Sequence, residues 1–328
     1  MATADTEVVH EEVAVRNEAV GAALQPAHVG SAPPHVPPTH GRLSLRFECA
    51  PDVSAEECAR GAGETCLVVL EQRPPLRVVR AFRTEDGAAL VHLHNLSGGV
   101  LGGDLLELSV EVCAGARAQL TSTGATRLYR SRRGASAAVQ RQRFEVGEGA
   151  LLEYLPDELI PFACARYRQE TTVELADDAG LFWWEMVAPG RAARGEVFAY
   201  DSLQFRLDLT ARGLPVAQER VALDPERRPL QSAARLGPYL YFANFYVCRV
   251  GLPERRWVDL EESLAALAQE LSRTSEIIWG VSALPRHGLV VRALAVKGRD
   301  VTQGLHAFWR AAKRELYGRA AVPPRKIY

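Results

Sequence analysis

The chain has 328 residues, 47% of them hydrophobic and 24% charged, with a formal net charge of −1. This length can bury a substantial core as one large domain or two ordinary ones, and the balanced charge gives no reason to expect nucleic acid as a partner. No run approaches the ~18 apolar residues of a membrane span, and the acidic first residues speak against a secretory signal, so a cytoplasmic protein without a membrane partner is expected.

Residues 1–40 form a regime of their own. They are acidic, hold five prolines between Pro26 and Pro38, and carry His10, His28, His35 and His40 with little periodic hydrophobicity. Such a composition predicts a disordered tail. From Gly41 to Tyr328 a single β-rich domain is expected. "LLELSVEV" sets Leu106, Leu108, Val110 and Val112 against Glu107, Ser109 and Glu111, and "SLQFRLDLT" sets Leu203, Phe205, Leu207 and Leu209 against Gln204, Arg206 and Asp208. "YRQETTVEL" alternates in the same way, and turn clusters such as "EDGAA", "VGEGA" and "ADDAG" punctuate the runs. Repeated short strands without intervening helices predict a mainly β fold, a large antiparallel body of several sheets. No helix is expected before residue 255, and no internal repeat is strong enough to predict a solenoid or propeller. Two helices follow near the C-terminus. "DLEESLAALAQELSR" spaces Leu260, Leu264, Leu267 and Leu271 helically, and "DVTQGLHAFWRAAKRELYG" runs from a cap at Asp300 to a stop at Gly318. The stretch between them predicts two strands around a turn at Pro285–Gly288.

Candidate chemistry is sparse. "SGGVLGGD" has no P-loop lysine and no helix behind it, and Asp104 would repel a phosphate. The plainer reading is a tight glycine turn entering a strand. The sharper one adds Asp104 and Glu107 as oxygen donors beside a passage or metal. His92 and His94 share a strand face without an identifiable third ligand. In "FWWEMVAPGRAARGE", Trp183 and Trp184 point to opposite faces, and Glu185 shares a face with Trp183. The six cysteines form no C-x-x-C pair and read as free thiols. Asp157 and Glu196 leave open a β-rich hydrolase that uses paired carboxylates, which would require both to face one cleft about 5 to 10 Å apart.

Five motifs taken together narrow the reading. "SGGVLGGD", "TSTGATRLYRS", "LEYLPDELIPFACARYRQ", "PGRAARGE" and the terminal "VPPRKIY" stand in the order seen in urease accessory proteins of the UreD (UreH) type, which the chain resembles over roughly residues 42–328. The resemblance implies a non-catalytic maturation protein with a mostly β body. It further implies binding to the urease apoprotein and to UreF-type and UreG-type accessory proteins, and an internal passage for nickel(II) in transit with no tightly bound cofactor. Carried over by position, the motifs contribute Gly98, Gly99, Gly102, Gly103 and Asp104, then Asp157, then Gly190, Arg191, Gly195 and Glu196. With Glu107, the acids Asp104, Asp157 and Glu196 become candidate donors along the metal route.

Overall fold

Alternation of apolar and polar side chains from His40 onward is realised as strands with one buried face. The computed structural model describes residues 38–50, 52–59, 63–132 and 134–324. Most of the tail expected over residues 1–40 lies outside the described residues, and the first strand already begins at His40. In chain order the strands are β1 (His40–Cys49), β2 (Thr65–Arg73), β3 (Leu76–Arg77), β4 (Ala81–Arg83), β5 (Ala89–Asn95), β6 (Leu105–Val112), β7 (Arg117–Ser122), β8 (Thr126–Leu128) and β9 (Ala138–Val146). They continue as β10 (Leu151–Tyr154), β11 (Leu159–Pro161), β12 (Arg166–Leu175), β13 (Gly180–Val187), β14 (Ser202–Ala211), β15 (Leu214–Leu223), β16 (Tyr241–Arg249), β17 (Ile277–Ala283) and β18 (Gly288–Ala295). The helices are α1 (Ala55–Ala59), α2 (Glu254–Leu271) and α3 (Gly298–Tyr317).

One sheet has the order β15-β14-β12-β9-β6-β1-β2, and the other runs β17-β18-β16-β13-β10-β7-β5-β3. Both are mixed, which corrects the antiparallel expectation. Strands β1, β6, β9, β12 and β14 are mutually parallel neighbours, with antiparallel hairpin strands at the two edges. Strands β5, β7, β10 and β13 are likewise parallel, and β16, β18 and β17 extend that sheet antiparallel. The expectation failed because parallel pairing was taken to require a helical crossover. Here the crossover from β6 to β9 is β7, a strand of the opposite sheet, and β9 to β12 passes through β10 in the same way. The middle of the chain therefore winds like a solenoid, which the irregular length of its turns had hidden from any search for repeats. A short branch leaves the larger sheet where β8 and β11 pair in parallel and β11 touches the end of β13.

The inward faces of the two sheets make one core, in which Trp183 stacks on Tyr154 (4.2 Å between centroids) and meets Phe144 edge-on (4.7 Å). Trp184, one residue on, belongs to a second core on the opposite face of the larger sheet, with Phe182, Phe245, Trp257 and Leu264 of α2, and Phe308 and Trp309 of α3. The two tryptophans thus serve the two faces that strand alternation predicts. Helix α3 begins at Gly298, so Asp300 lies in its first turn and Lys297 is the cap residue; the predicted stop at Gly318 holds, in a left-handed conformation (φ 62°). The short α1 lies before the region where helices were expected.

Helix α3 sits close to the sheet because Gly304 has no side chain: a Cβ there would overlap the indole of Trp279. Gly304→Ala is expected to lower stability by about 1–3 kcal/mol through overpacking. Gly280→Ala, with nothing within 4 Å of the added atom, should leave the urea midpoint nearly unchanged. Equal midpoints for the two variants would refute the close docking of α3.

Candidate functional site

The sequence motifs, scattered over the chain, meet at the corners of the winding. Gly98–Asp104 turns the chain from β5 into β6, the "LYRS" segment lies between β8 and β9, "FACAR" between β11 and β12, and Gly190–Glu196 between β13 and β14. These corners stack. A Cβ on Gly99 would strike the ring of Tyr129, and one on Gly102 would come within 3.0 Å of three atoms of Ser131. Ser131 Oγ in turn accepts the Arg166 N–H (3.1 Å), and the Ala163 N–H donates to Glu196 (3.1 Å). Gly103 takes φ 93°, which sets the turn, and Gly98 is also left-handed. Gly190 (φ 132°) approaches the Glu196 carbonyl too closely for any side chain, and Gly195 caps the 3₁₀ turn Ala192–Arg194.

The four candidate acids occupy different surroundings. Asp104 is buried, and its two oxygens accept the N–H groups of Leu101 (2.9 Å) and Thr39 (3.0 Å), which ties the glycine turn to the start of β1. Glu107 lies on the outer face of the smaller sheet. Hydrogen bonds from His40 (2.8 Å) and then Arg42 (2.8 Å) hold its carboxyl below the usual range. There it joins Arg141 and Glu170 along a shallow trough of about 480 Å³. Glu196 is gripped by both arms of Arg191, whose guanidinium also lies over the Phe162 ring (4.1 Å). That pairing brings its carboxyl down to about 2, so it carries no proton to donate near neutrality.

Asp157 differs. It sits at the corner between β10 and β11, exchanging hydrogen bonds with Ser122 (2.8 Å to its N–H, 3.3 Å from its carboxylate). It lines two small cavities of about 40 Å³ each, which share Pro156, Asp157 and Met186. The outer one also meets Glu158, Trp184, His306 and Pro324, so the terminal "VPP" motif reaches the same place. The inner one is lined by Gln140, Gln142, Tyr154, Gln169 and Glu185. Neither contains Glu196, so the carboxylate pair that a hydrolase would need does not share a cavity with Asp157.

The inner cavity opens onto a polar layer across the middle of the sandwich. Gln142 donates to the Tyr154 hydroxyl (3.2 Å), Thr171 to Gln142 (3.2 Å), and the Tyr167 hydroxyl lies 2.9 Å from both Gln140 and Gln169. Gln169 then donates to Glu185. Burial pushes the Glu185 carboxyl up to about 7, despite that hydrogen bond. Sequence reading placed Glu185 on the face of Trp183 but gave it no role. The available signal was a glutamate in an otherwise apolar strand. His92 and His94 remain a pair: among the described residues no group of three or more His, Cys, Asp or Glu is gathered to hold a metal. No described helix is long and apolar enough to cross a membrane.

The family model for the UreD urease accessory protein matches residues 39–327. A urease accessory protein UreD of Herpetosiphon aurantiacus is 44% identical over 88% of this chain and 96% of its own length. That of Alkalilimnicola ehrlichii is 33% identical over 95% and 99%. The chain belongs to the UreD family of urease accessory proteins. Membership implies a role in urease maturation, and it gives the stacked corners and the paired cavities a functional setting.

Two outcomes test this geometry. Asp104→Ala leaves two backbone donors without their acceptor and should cost about 2–3 kcal/mol in chemical denaturation; an unchanged midpoint would contradict its bracing role. Glu185 binds its proton more tightly folded (about 7) than unfolded (4.5). Its stabilising contribution is therefore complete below about pH 4.5 and is lost as pH rises towards 7, at most about 1.4 kcal/mol per pH unit. Glu185→Gln should flatten that part of the stability–pH curve, and an unaltered slope would show that another group titrates.

Proposed function

We propose that this UreD-family chain is a non-catalytic, cytoplasmic scaffold of urease maturation that passes nickel(II) through its polar interior. In this reading it binds the urease apoprotein together with UreF-type and UreG-type accessory proteins, and the metal moves past Asp157 and Glu185 toward the urease active site. The observation that carries the proposal is that Asp157 lines both cavities, one bordered by the half-buried Glu158 and His306 and one by Glu185.

The chemistry suits a cargo that must leave again. Carboxylate, amide and hydroxyl oxygens hold a borderline cation less tightly than a closed thiolate and imidazole cage would. A Glu185 carboxyl near 7 is about half protonated at neutral pH without a cation, which lessens the isolated charge held in the sandwich. An arriving divalent ion displaces that proton at little cost near neutral pH. The polar layer gives the ion oxygen donors beyond Glu185, while Asp104, Glu107 and Glu196 are already committed to backbone or arginine donors.

The test is maturation of urease in cells that co-express it with its accessory proteins. Asp157→Ala and Glu185→Gln should leave the chain in complex with its partners, while the nickel content of urease falls about tenfold, the scale of losing one donor. Urease that reaches full nickel content with the double variant would remove the passage. Urease that does so without the chain would remove the maturation role itself.

A further inference from the structure

On the far face of β10 a second buried glutamate has a different fate. Glu153 accepts hydrogen bonds from Trp309 Nε1 (2.8 Å) and Lys313 Nζ (2.9 Å) of α3, and from Gln119 of β7 (3.4 Å). Lys313 also reaches Asp86 (3.4 Å), in the turn between β4 and β5. Burial works against an ionised Asp86, but Lys313, the Thr84 hydroxyl and Arg117 together hold its carboxyl below the usual range. Both carboxylates are therefore served mainly by one lysine.

Arg117 of β7 stands beside this cluster and is only 2% exposed. Its backbone N–H donates to Thr65 (2.9 Å), but the side-chain Nε, Nη1 and Nη2 are all buried without a hydrogen-bond partner. The nearest carboxylate oxygen, on Asp86, is 3.8 Å away, beyond hydrogen-bond range. After burial, the strongest influence on its charge is another cation, Arg319, ahead of Asp86. Arg319 follows the end of α3 and is itself held by the Ala59 carbonyl (3.0 Å). Arg319 thus adds positive charge near Arg117, and among the described residues of the cluster three cations (Arg117, Lys313, Arg319) stand with two acids (Asp86, Glu153), of which burial pushes Glu153 up toward its neutral form. A buried guanidinium with five donors and no acceptor is a costly arrangement, and like charges add to it.

We infer that one small monovalent anion, of halide size, is bound between Arg117 and Arg319 and ties the segment after α3 to β7. A negative charge offsets the excess positive charge of the cluster, and a planar guanidinium offers convergent N–H donors to it. Arg319 is only half-buried, which leaves the ion a way in from solvent. The same segment continues to Val322, whose carbonyl accepts from Gln119 (3.1 Å), and to Pro324 at the outer cavity. An ion at Arg117 therefore helps fix the chain that borders the Asp157 site, although its presence does not depend on nickel transfer.

The experiment uses the full chain at constant ionic strength, with potassium chloride exchanged for potassium gluconate, whose anion is too large to enter. The thermal midpoint should rise saturably with chloride, by about 5 °C at a hundredfold excess over the dissociation constant. Bromide should act in the same way and give an anomalous diffraction peak within hydrogen-bond distance of Arg117. Arg117→Met should abolish the chloride dependence. If that variant does not fold, Arg319→Gln, at a half-buried position, should weaken the dependence at least tenfold in half-saturating concentration. Identical midpoints in the two salts, a dependence that survives in the variants, or a bromide-free site filled by water would each overturn the inference.

Discussion

A strand that must cross to the opposite sheet before it finds its next parallel neighbour is the constraint on which this structure depends. It lets β6, β9, β12 and β14 pair in parallel without helices between them, and it forces every crossing to turn a corner. Those corners stack on one another at the pitch of neighbouring strands, about 4.8 Å, so side chains there have little room. Glycines at 99 and 102 satisfy that limit against Tyr129 and Ser131, and Asp104 supplies acceptors for backbone donors that the turn would otherwise bury unpaired. The motif is thus explained by close packing before any metal is considered.

The same winding separates two glutamates, Glu153 buried and Glu185 half-buried. Glu153 faces the helices, where hydrogen bonds from Lys313 and Trp309 work against the burial that pushes its carboxyl up, so it serves as an anchor for α3. Glu185 faces the interior of the sandwich, where its hydrogen-bond partner is the neutral Gln169 and burial raises its carboxyl to about 7, so that it is about half protonated at neutral pH. A carboxyl with a permanent cation partner has no reason to accept a second one. A carboxyl that is protonated for lack of one can exchange its proton for a metal. The difference arises from strand alternation, since adjacent faces of the same sheet meet either helices or the opposing sheet.

Much of this fold was legible in the residues. The strand faces at Leu106–Val112 and Leu203–Leu209, the hairpin at Pro285–Gly288 and the helix stop at Gly318 follow from periodicity and turn chemistry, because these are local properties. Strand direction was not legible. A half-buried strand alternates identically in parallel and antiparallel partners, and only the path between strands distinguishes them. The convergence of motifs was also hidden, because Gly102, Ser131, Arg166 and Glu196 meet through a register set by the winding. Family resemblance supplied their order, and the structure supplies the reason they belong together.

Among the acids singled out by motif, proximity to a glycine turn marks an architectural role as readily as a chemical one. Asp104 and Glu196 each hold a corner closed, one through two N–H groups and the other through Arg191. Their donors sit where an incoming cation would have to displace them, and for Glu196 that means separating a guanidinium from a carboxylate. Asp157 exchanges hydrogen bonds with Ser122, its carboxylate accepting from the hydroxyl and its backbone N–H donating to it, and it borders two cavities. Under the proposed passage, the chemical interest of this chain therefore lies at the corner between β10 and β11, where Asp157 borders both cavities, with the glycine turn as its support.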